Sequence, residues 1–323
     1  MRKTRDERQT AQGFAENASA SMTGKGNDQM ATGPEKTAAK EKLKRLLERE
    51  GTGISWADLT MNPWIGCTKV SPACDHCYAE DLATNRLGVE WGPGAPRRRT
   101  APGTWAKVAR WNRIAEEAGE RLTVFCASLA DVLDNAVDDQ WRRDLAAQII
   151  ATPWLDWMLL TKRIGNARKM LSAMFPDGVP PNVALGVTIA NQEEADRDLP
   201  RALSVKAGLG IKRLFVSMEP LLGPVDISRF LSAIDLVIVG GESGKDARIM
   251  QLDWVRSLRD QTKAAGVPFH FKQWGEWIAT AQIGFHGFER CRRVDIAPHA
   301  YLRVGVRRSG HTIDGFEHRE HFQ

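Results

Sequence analysis

The sequence predicts an α/β fold: a complete or partial TIM-like (β/α) barrel of parallel strands, preceded by a disordered N-terminal tail. Three observations carry this. Short apolar runs recur at 122–128 (LTVFCAS), 157–161 (WMLLT), 183–189 (VALGVTI), 213–218 (RLFVSM), 235–240 (DLVIVG) and 267–271 (VPFHF). Runs that are apolar on both faces suit strands buried on both sides, as in parallel sheets. Between them lie stretches of helical period, among them 138–151 and 252–265, the second ending at Gly266 just before a strand. With a first strand just before Cys67, about seven strand–helix units result, and such units form parallel sheets with right-handed crossovers. No GxGxxG follows the first strand, which argues against an open dinucleotide-binding sheet.

Composition divides the chain into three parts. Residues 1–53 are expected to be a disordered or helical tail. Positions 1–40 are rich in Ala, Thr, Gly, Asn, Lys and Glu and nearly free of large apolar side chains, so they bury too little surface to offset ordering entropy. Residues 39–50 read as a short polar helix with Leu43, Leu46 and Leu47 on one face, ended by Gly51 and Gly53. Residues 54–285 form the packed barrel domain, and all 11 tryptophans lie within it, from Trp56 to Trp277. Residues 286–323 are expected to be a peripheral basic extension carrying His299, His311, His318 and His321.

The net charge of +5 comes from the ends. Residues 1–50 hold 11 Lys+Arg against 8 Asp+Glu, residues 286–323 hold 7 against 5, and the remainder balances at 27 of each. A nucleic-acid-binding core more often concentrates a basic face. Arg97-Arg98-Arg99 is the one cluster suited to phosphate, and otherwise reads as a solvated loop. No apolar run reaches the roughly 18 residues of a membrane span, and Met1 to Glu50 lacks the apolar stretch of a secretory signal. The expected location is the cytoplasm, without membrane association. Three of the 5 cysteines crowd together while Cys126 and Cys291 stand alone, a pattern of metal binding in a reducing compartment rather than of a disulfide framework.

The chemistry concentrates in 62–80, NPWIGCTKVSPACDHCYAE, where Cys67, Cys74 and Cys77 are spaced C-x6-C-x2-C. Three thiolates on one loop suit three irons of a [4Fe–4S] cluster because they are soft, anionic and closely spaced. The fourth iron is then open to a cofactor or substrate. Pro63, Gly66 and Pro72 supply the turns that bend such a loop. The same cysteines with His76 also admit a structural zinc site, although no second ligand pair follows along the chain. Cys126, inside an apolar run, reads as a core residue.

At this motif the chain resembles the radical-SAM superfamily. It looks more closely like the phage-associated three-Cys-motif family of mycobacteriophages and actinobacteria, a domain of unknown function. The closer likeness rests on 62–80 together with LLTKR at 159–163, PNVALGVTIANQ at 181–192, LFVSMEPLLGPV at 214–225 and the stretch from LVIVGGESGKDARIM to QWGEW over 236–277. The resemblance implies a barrel fold, a [4Fe–4S] cluster on the three cysteines and S-adenosylmethionine bound at the open iron. It also implies a partner protein of the three-Cys-motif partner type and makes a nucleotide or nucleic-acid substrate the natural candidate. The sequence departs from the wider superfamily, whose spacing is C-x3-C-x2-C with an aromatic before the third cysteine. Here the first gap is six residues, His76 precedes the third cysteine and Tyr78 follows it.

Tyr78 and the segment Gly240-Gly241-Glu242-Ser243 are the expected cofactor-binding residues. In radical-SAM proteins a similar GGE segment meets the amino group of the methionine moiety. Glycines let backbone approach a ligand, and a carboxylate pairs with an ammonium. Here the segment follows the sixth strand rather than the fourth, and it also reads as a structural turn. Further polar residues stand at carboxyl ends of strands, where barrel active sites gather: Ser128 with Asp131, Thr161 with Lys162 and Arg163, Ser217 with Glu219, and Lys272 with Gln273. Lys162, Arg163, Glu219 and Lys272 are the catalytic candidates. Lys162 and Arg163 suit a carboxylate or phosphate, and Glu219 suits a ribose or an amine. Phe271, Trp274 and Trp277 suit core packing or base stacking. The alternative to a radical-SAM-like enzyme is a binding or adaptor module stabilised by zinc or a non-catalytic cluster. Metal-dependent hydrolysis is weaker, since His270 is the only strand histidine.

Overall fold

The computed structural model describes residues 33–283 and 287–322. Positions 1–32 of the expected tail, and the expected boundary at 285/286, lie outside the described residues. Seven parallel strands form one sheet in sequence order: β1 (Leu59–Thr60), β2 (Leu122–Cys126), β3 (Leu155–Thr161), β4 (Val183–Thr188), β5 (Arg213–Met218), β6 (Leu236–Gly240) and β7 (Phe269–Gln273). Among the described residues β1 and β7 do not pair, so the sheet is a partial barrel, as the apolar runs predict.

The strands alternate strictly. Val124, Cys126, Trp157, Leu159, Leu214, Val216, Val237 and Val239 face the helices. Phe125, Met158, Ala184, Phe215 and Ile238 face the concave interior, where Trp56 joins them. Gly186 on β4 is required there, because a Cβ would come within 2.1 Å of the Phe215 ring. Cys126 is fully buried, in keeping with a core role. Phe271, Trp274 and Trp277 are likewise core residues.

The outer layer holds α3 (Pro102–Ala118), α4 (Asp139–Ile150), α5 (Ile164–Met174), α6 (Gln192–Leu209) and α7 (Leu252–Ala265), while α1 (Gly33–Glu50) precedes the sheet and α2 (Tyr78–Asn85) follows the cysteine loop. Their ends follow local chemistry. Asp138 caps α4 by accepting from Gln140 N at 2.6 Å, and Asn191 caps α6 by accepting from Glu194 N at 2.9 Å. Gly119, Gly210 and Gly266 end α3, α6 and α7 in the left-handed conformation.

Two ends of the chain are more integrated than composition predicts. The helix α1 begins at Gly33 rather than near 39, and it packs on α3 with Leu43 and Leu46 buried. Trp111 Nε1 donates to Glu50 Oε2 at 3.0 Å, and Lys42 pairs with Glu117 at 2.6 Å. The C-terminal extension is not peripheral. Strands at Trp277–Ala279, Arg293–Ile296 and His299–Arg303 form an antiparallel sheet, and Tyr301, Leu302 and Ile313 enter the main core. Farther on, Phe271 N donates to His318 O at 2.8 Å and His270 bridges Arg319 antiparallel, so residues 318–320 lie along the outer edge of β7.

Candidate metal and ligand site

The chain leaves β1 and passes through Trp64–Ile65, which pairs antiparallel with Arg98–Arg99. Gly66 then turns with φ +116°, and a Cβ there would lie 3.0 Å from Arg97 Cδ. Cys67 follows. Ser71 accepts from Ala73 N at 3.0 Å and starts a single 3-10 turn, Pro72–Cys74. Cys77 is the N-cap position of α2. Tyr78 opens that helix and donates its hydroxyl to Ser128 O at 3.1 Å.

This path brings Cys67, Cys74, Cys77 and Tyr78 onto one cavity of about 120 Å³ at the carboxyl ends of the strands. None of the cysteines is in a disulfide. From the sheet come Asp131, Lys162, Thr188, Glu219 and Lys272, and Ile54, Trp56, Phe125 and Leu160 supply an apolar wall. Three of the four catalytic candidates, Lys162, Glu219 and Lys272, therefore line the same space as the three cysteines. Glu219 is held on both oxygens. Oε2 accepts from Trp56 Nε1 at 3.0 Å and from Ser217 Oγ at 3.2 Å, and Oε1 lies 2.7 Å from Lys272 Nζ. Lys162 Nζ and the buried Thr188 hydroxyl have no partner among the described residues.

Arg163, the fourth candidate, stands behind Cys67. Its Nη1 lies 3.3 Å from the Cys67 sulfur and 3.0 Å from Asp131 Oδ2, and its Nη2 donates to Thr68 O at 2.7 Å. Burial pushes the Cys67 thiol up to about 11, with Asp131 adding to the rise and Arg163 opposing it. Cys67 without a metal is thus a neutral thiol at physiological pH. Arg163 loses hydration, yet the Asp131 and Asp134 carboxylates keep it firmly charged. Arg97, expected in a solvated loop, is instead buried and pairs with Asp134 at 2.7 Å. Its neighbours Arg98 and Arg99 are exposed.

Gly240, Gly241, Glu242 and Ser243 do not line this cavity. Glu242 turns instead to Arg248, which contacts Oε2 through Nε at 3.0 Å and Oε1 through Nη2 at 2.7 Å. Arg248 also reaches Asp75 Oδ2 at 3.0 Å and Pro72 O at 2.8 Å, while His76 Nδ1 lies 3.1 Å from Glu242 Oε2. Burial works against the Glu242 charge, but the Arg248 and His76 hydrogen bonds hold its carboxyl below the usual range. What approaches Gly241 is protein: a Cβ would lie 1.9 Å from Trp274 O. The segment is a latch on the cysteine loop.

His76 is thus committed to Glu242. Among the described residues no three His, Cys, Asp or Glu side chains converge on a point where one metal ion could sit. Trp56, Asp134, Thr188 and Arg248 were not singled out by the sequence reading. Asp134 alone had a local signal, its spacing of three from Asp131.

Fold and site together define a parallel half-barrel protein with a cysteine-lined cavity at its mouth. The chain belongs to the family described as "Protein of unknown function (DUF5131)", whose model matches residues 51–321. The resemblance anticipated a family without an assigned activity, and the match agrees. No curated protein matches the chain. Among solved structures it is similar to spore photoproduct lyase complexed with dinucleoside spore photoproduct, at 14% identity and TM-score 0.42, over 80% of this chain and 72% of that one. A mutant of that lyase with bound AdoMet and dinucleoside spore photoproduct gives 14% identity and TM-score 0.41, over 76% and 68%. A candidate alpha-L-fucosidase from Bacteroides thetaiotaomicron VPI-5482 gives 10% identity and TM-score 0.35, over 65% and 72%. No described helix is long and apolar enough to cross a membrane.

Proposed function

We propose that this chain is an iron–sulfur protein of radical-SAM type, with Cys67, Cys74 and Cys77 holding three irons of a [4Fe–4S] cluster. The observation that carries the reading is the gathering of three unpaired thiols around one cavity at the mouth of a parallel half-barrel. The donor set fits. Thiolates are the usual ligands of such clusters, and three sulfurs spread around a cavity suit a polynuclear group better than a single ion. A cluster held by Cys67, Cys74 and Cys77 would, with S-adenosylmethionine and one electron from an external donor, supply radical chemistry at a substrate C–H bond.

The protein's own residues bind and orient. Trp56, Phe125 and Leu160 exclude water from one wall. Lys162 Nζ, without a partner among the described residues, offers its charge to a carboxylate or phosphate. Thr188 offers an unsatisfied hydroxyl. Glu219 lines the cavity and Glu242 does not, so Glu219 is the carboxylate placed to meet a ligand amine or ribose. Tyr78 flanks the third cysteine. A nucleotide or nucleic-acid substrate, a partner protein of the three-Cys-motif partner type, a phage association and a cytoplasmic location complete the proposal. The first three rest on the family resemblance, and the last on five cysteines without a disulfide.

Anaerobic reconstitution with iron and sulfide tests it, followed by metal analysis and EPR of the reduced protein with and without S-adenosylmethionine. About four irons per chain, the complement of one such cluster, and a signal that shifts on adding the cofactor are expected. Cys67→Ala, Cys74→Ala and Cys77→Ala should each abolish iron retention. Stoichiometric zinc with no iron uptake would replace the enzyme by the metal-stabilised adaptor.

A further inference from the structure

We propose that the buried pair Arg163 and Asp131 sets the reduction potential of the cluster held by Cys67, Cys74 and Cys77. This rests on the iron–sulfur reading and extends it to residues outside the cysteine motif. Arg163 directs Nη1 at the Cys67 sulfur from 3.3 Å. Among the described residues no side chain donates to the sulfurs of Cys74 or Cys77, so the cluster would be approached asymmetrically.

The guanidinium is fixed in that pose. Asp131 holds Nη1 at 3.0 Å, Thr68 O holds Nη2 at 2.7 Å, and the side chain is 8% exposed. Asp131 is fixed in turn by Thr161 Oγ1 at 2.7 Å and Lys162 N at 2.9 Å. Such a charge pair is costly to bury unless it is well hydrogen-bonded, and here Asp131 accepts on both oxygens while Arg163 donates from both Nη atoms. A positive charge and an N–H donor aimed at a ligand sulfur favour the more electron-rich state of a cluster.

Asp131 acts in the opposite sense on the same sulfur. The two residues therefore bracket the potential: Arg163 raises it and Asp131 lowers it. One electron from an external low-potential donor takes the cluster from the 2+ to the 1+ state, and no bond is made or broken.

The test is an EPR-monitored redox titration with dithionite, on reconstituted wild type, Arg163→Gln, Arg163→Lys and Asp131→Asn, with iron and circular dichroism measured for each. Arg163→Gln should keep its iron and shift the midpoint negative, since it also leaves Asp131 uncompensated. Arg163→Lys should shift it less, and Asp131→Asn should shift it positive. Unchanged midpoints in loaded variants would overturn the proposal. So would loss of iron in folded Arg163→Gln and Asp131→Asn, which would make the pair an assembly device. A wild-type chain that takes up no iron would instead overturn the iron–sulfur reading, and this inference with it.

Discussion

His270 and Arg319 meet across the edge of β7, Nη1 to Nε2 at 3.2 Å, in an arrangement that holds only while the imidazole is neutral. Nδ1 faces Glu320 O at 3.2 Å, and a carbonyl oxygen only accepts. The ring proton therefore sits on Nδ1, and the single lone pair of Nε2 faces Arg319, with Ser55 Oγ also 2.9 Å away. Burial lowers the pKa of His270 to about 4, and Arg319 and His321 push the same way against Glu320 O and Glu219.

Stability should consequently depend on pH in a defined window. The unfolded chain takes up this proton near pH 6.5 and the folded chain only near 4. The contribution is full above about pH 6.5 and is lost as pH falls toward 4, at about 1.4 kcal/mol per pH unit inside the window. Thermal unfolding of wild type and His270→Gln across this range checks it. The wild-type profile should be the steeper, and parallel profiles would assign the effect to other groups.

Arg248→Ala should free the cysteine loop. It breaks the contacts to Glu242, Asp75 and Pro72 together and leaves the Glu242 carboxylate buried without its main partner. A cost of about 3 kcal/mol is expected from urea unfolding. Cys74 and Cys77 of the metal-free variant should also react faster with a maleimide, while Cys126 stays protected.

Gly241→Ala should be far more damaging than Gly240→Ala. At 241 the new methyl group meets backbone, Trp274 O at 1.9 Å, whereas at 240 it meets the end of the Glu219 side chain at 3.2 Å. Overpacking costs about 1–3 kcal/mol and more where backbone must move. Comparing soluble yield and denaturation midpoints decides it, and equal effects would count against the close approach of the β6 and β7 ends.

Leu46→Ala should destabilise the barrel by about 3 kcal/mol, the usual loss for a buried leucine. Leu46 is 3% exposed and packs in the main core. A surface helix on a dispensable tail would lose little, so calorimetry separates the two views of α1.

The strands were legible because their signal is local: a run apolar on both faces needs no partner to be recognised. The cysteine loop stood out for the same reason, since its spacing is local, and the structure brings its three thiols to one cavity. What escaped depends on distant pairing. Arg97 looks solvated until Asp134, 37 residues on, takes its charge into the interior. Glu242 reads as a cofactor ligand until Arg248 folds back and occupies both oxygens. The basic composition of 286–323 hid Tyr301, whose hydroxyl accepts from Leu252 N at the start of α7. Composition averages over a segment, whereas burial is decided by a few of its side chains.

The segment lying along β7 also bears on self-association. That strand reads Phe-His-Phe, and without residues 318–320 the amides of Phe269 and Phe271 would lose the groups that now accept from them. An apolar strand with free amides is a template for pairing with another copy. A variant cut after Glu317 should therefore keep its cysteine loop and still form aggregates, through an edge the intact protein keeps occupied.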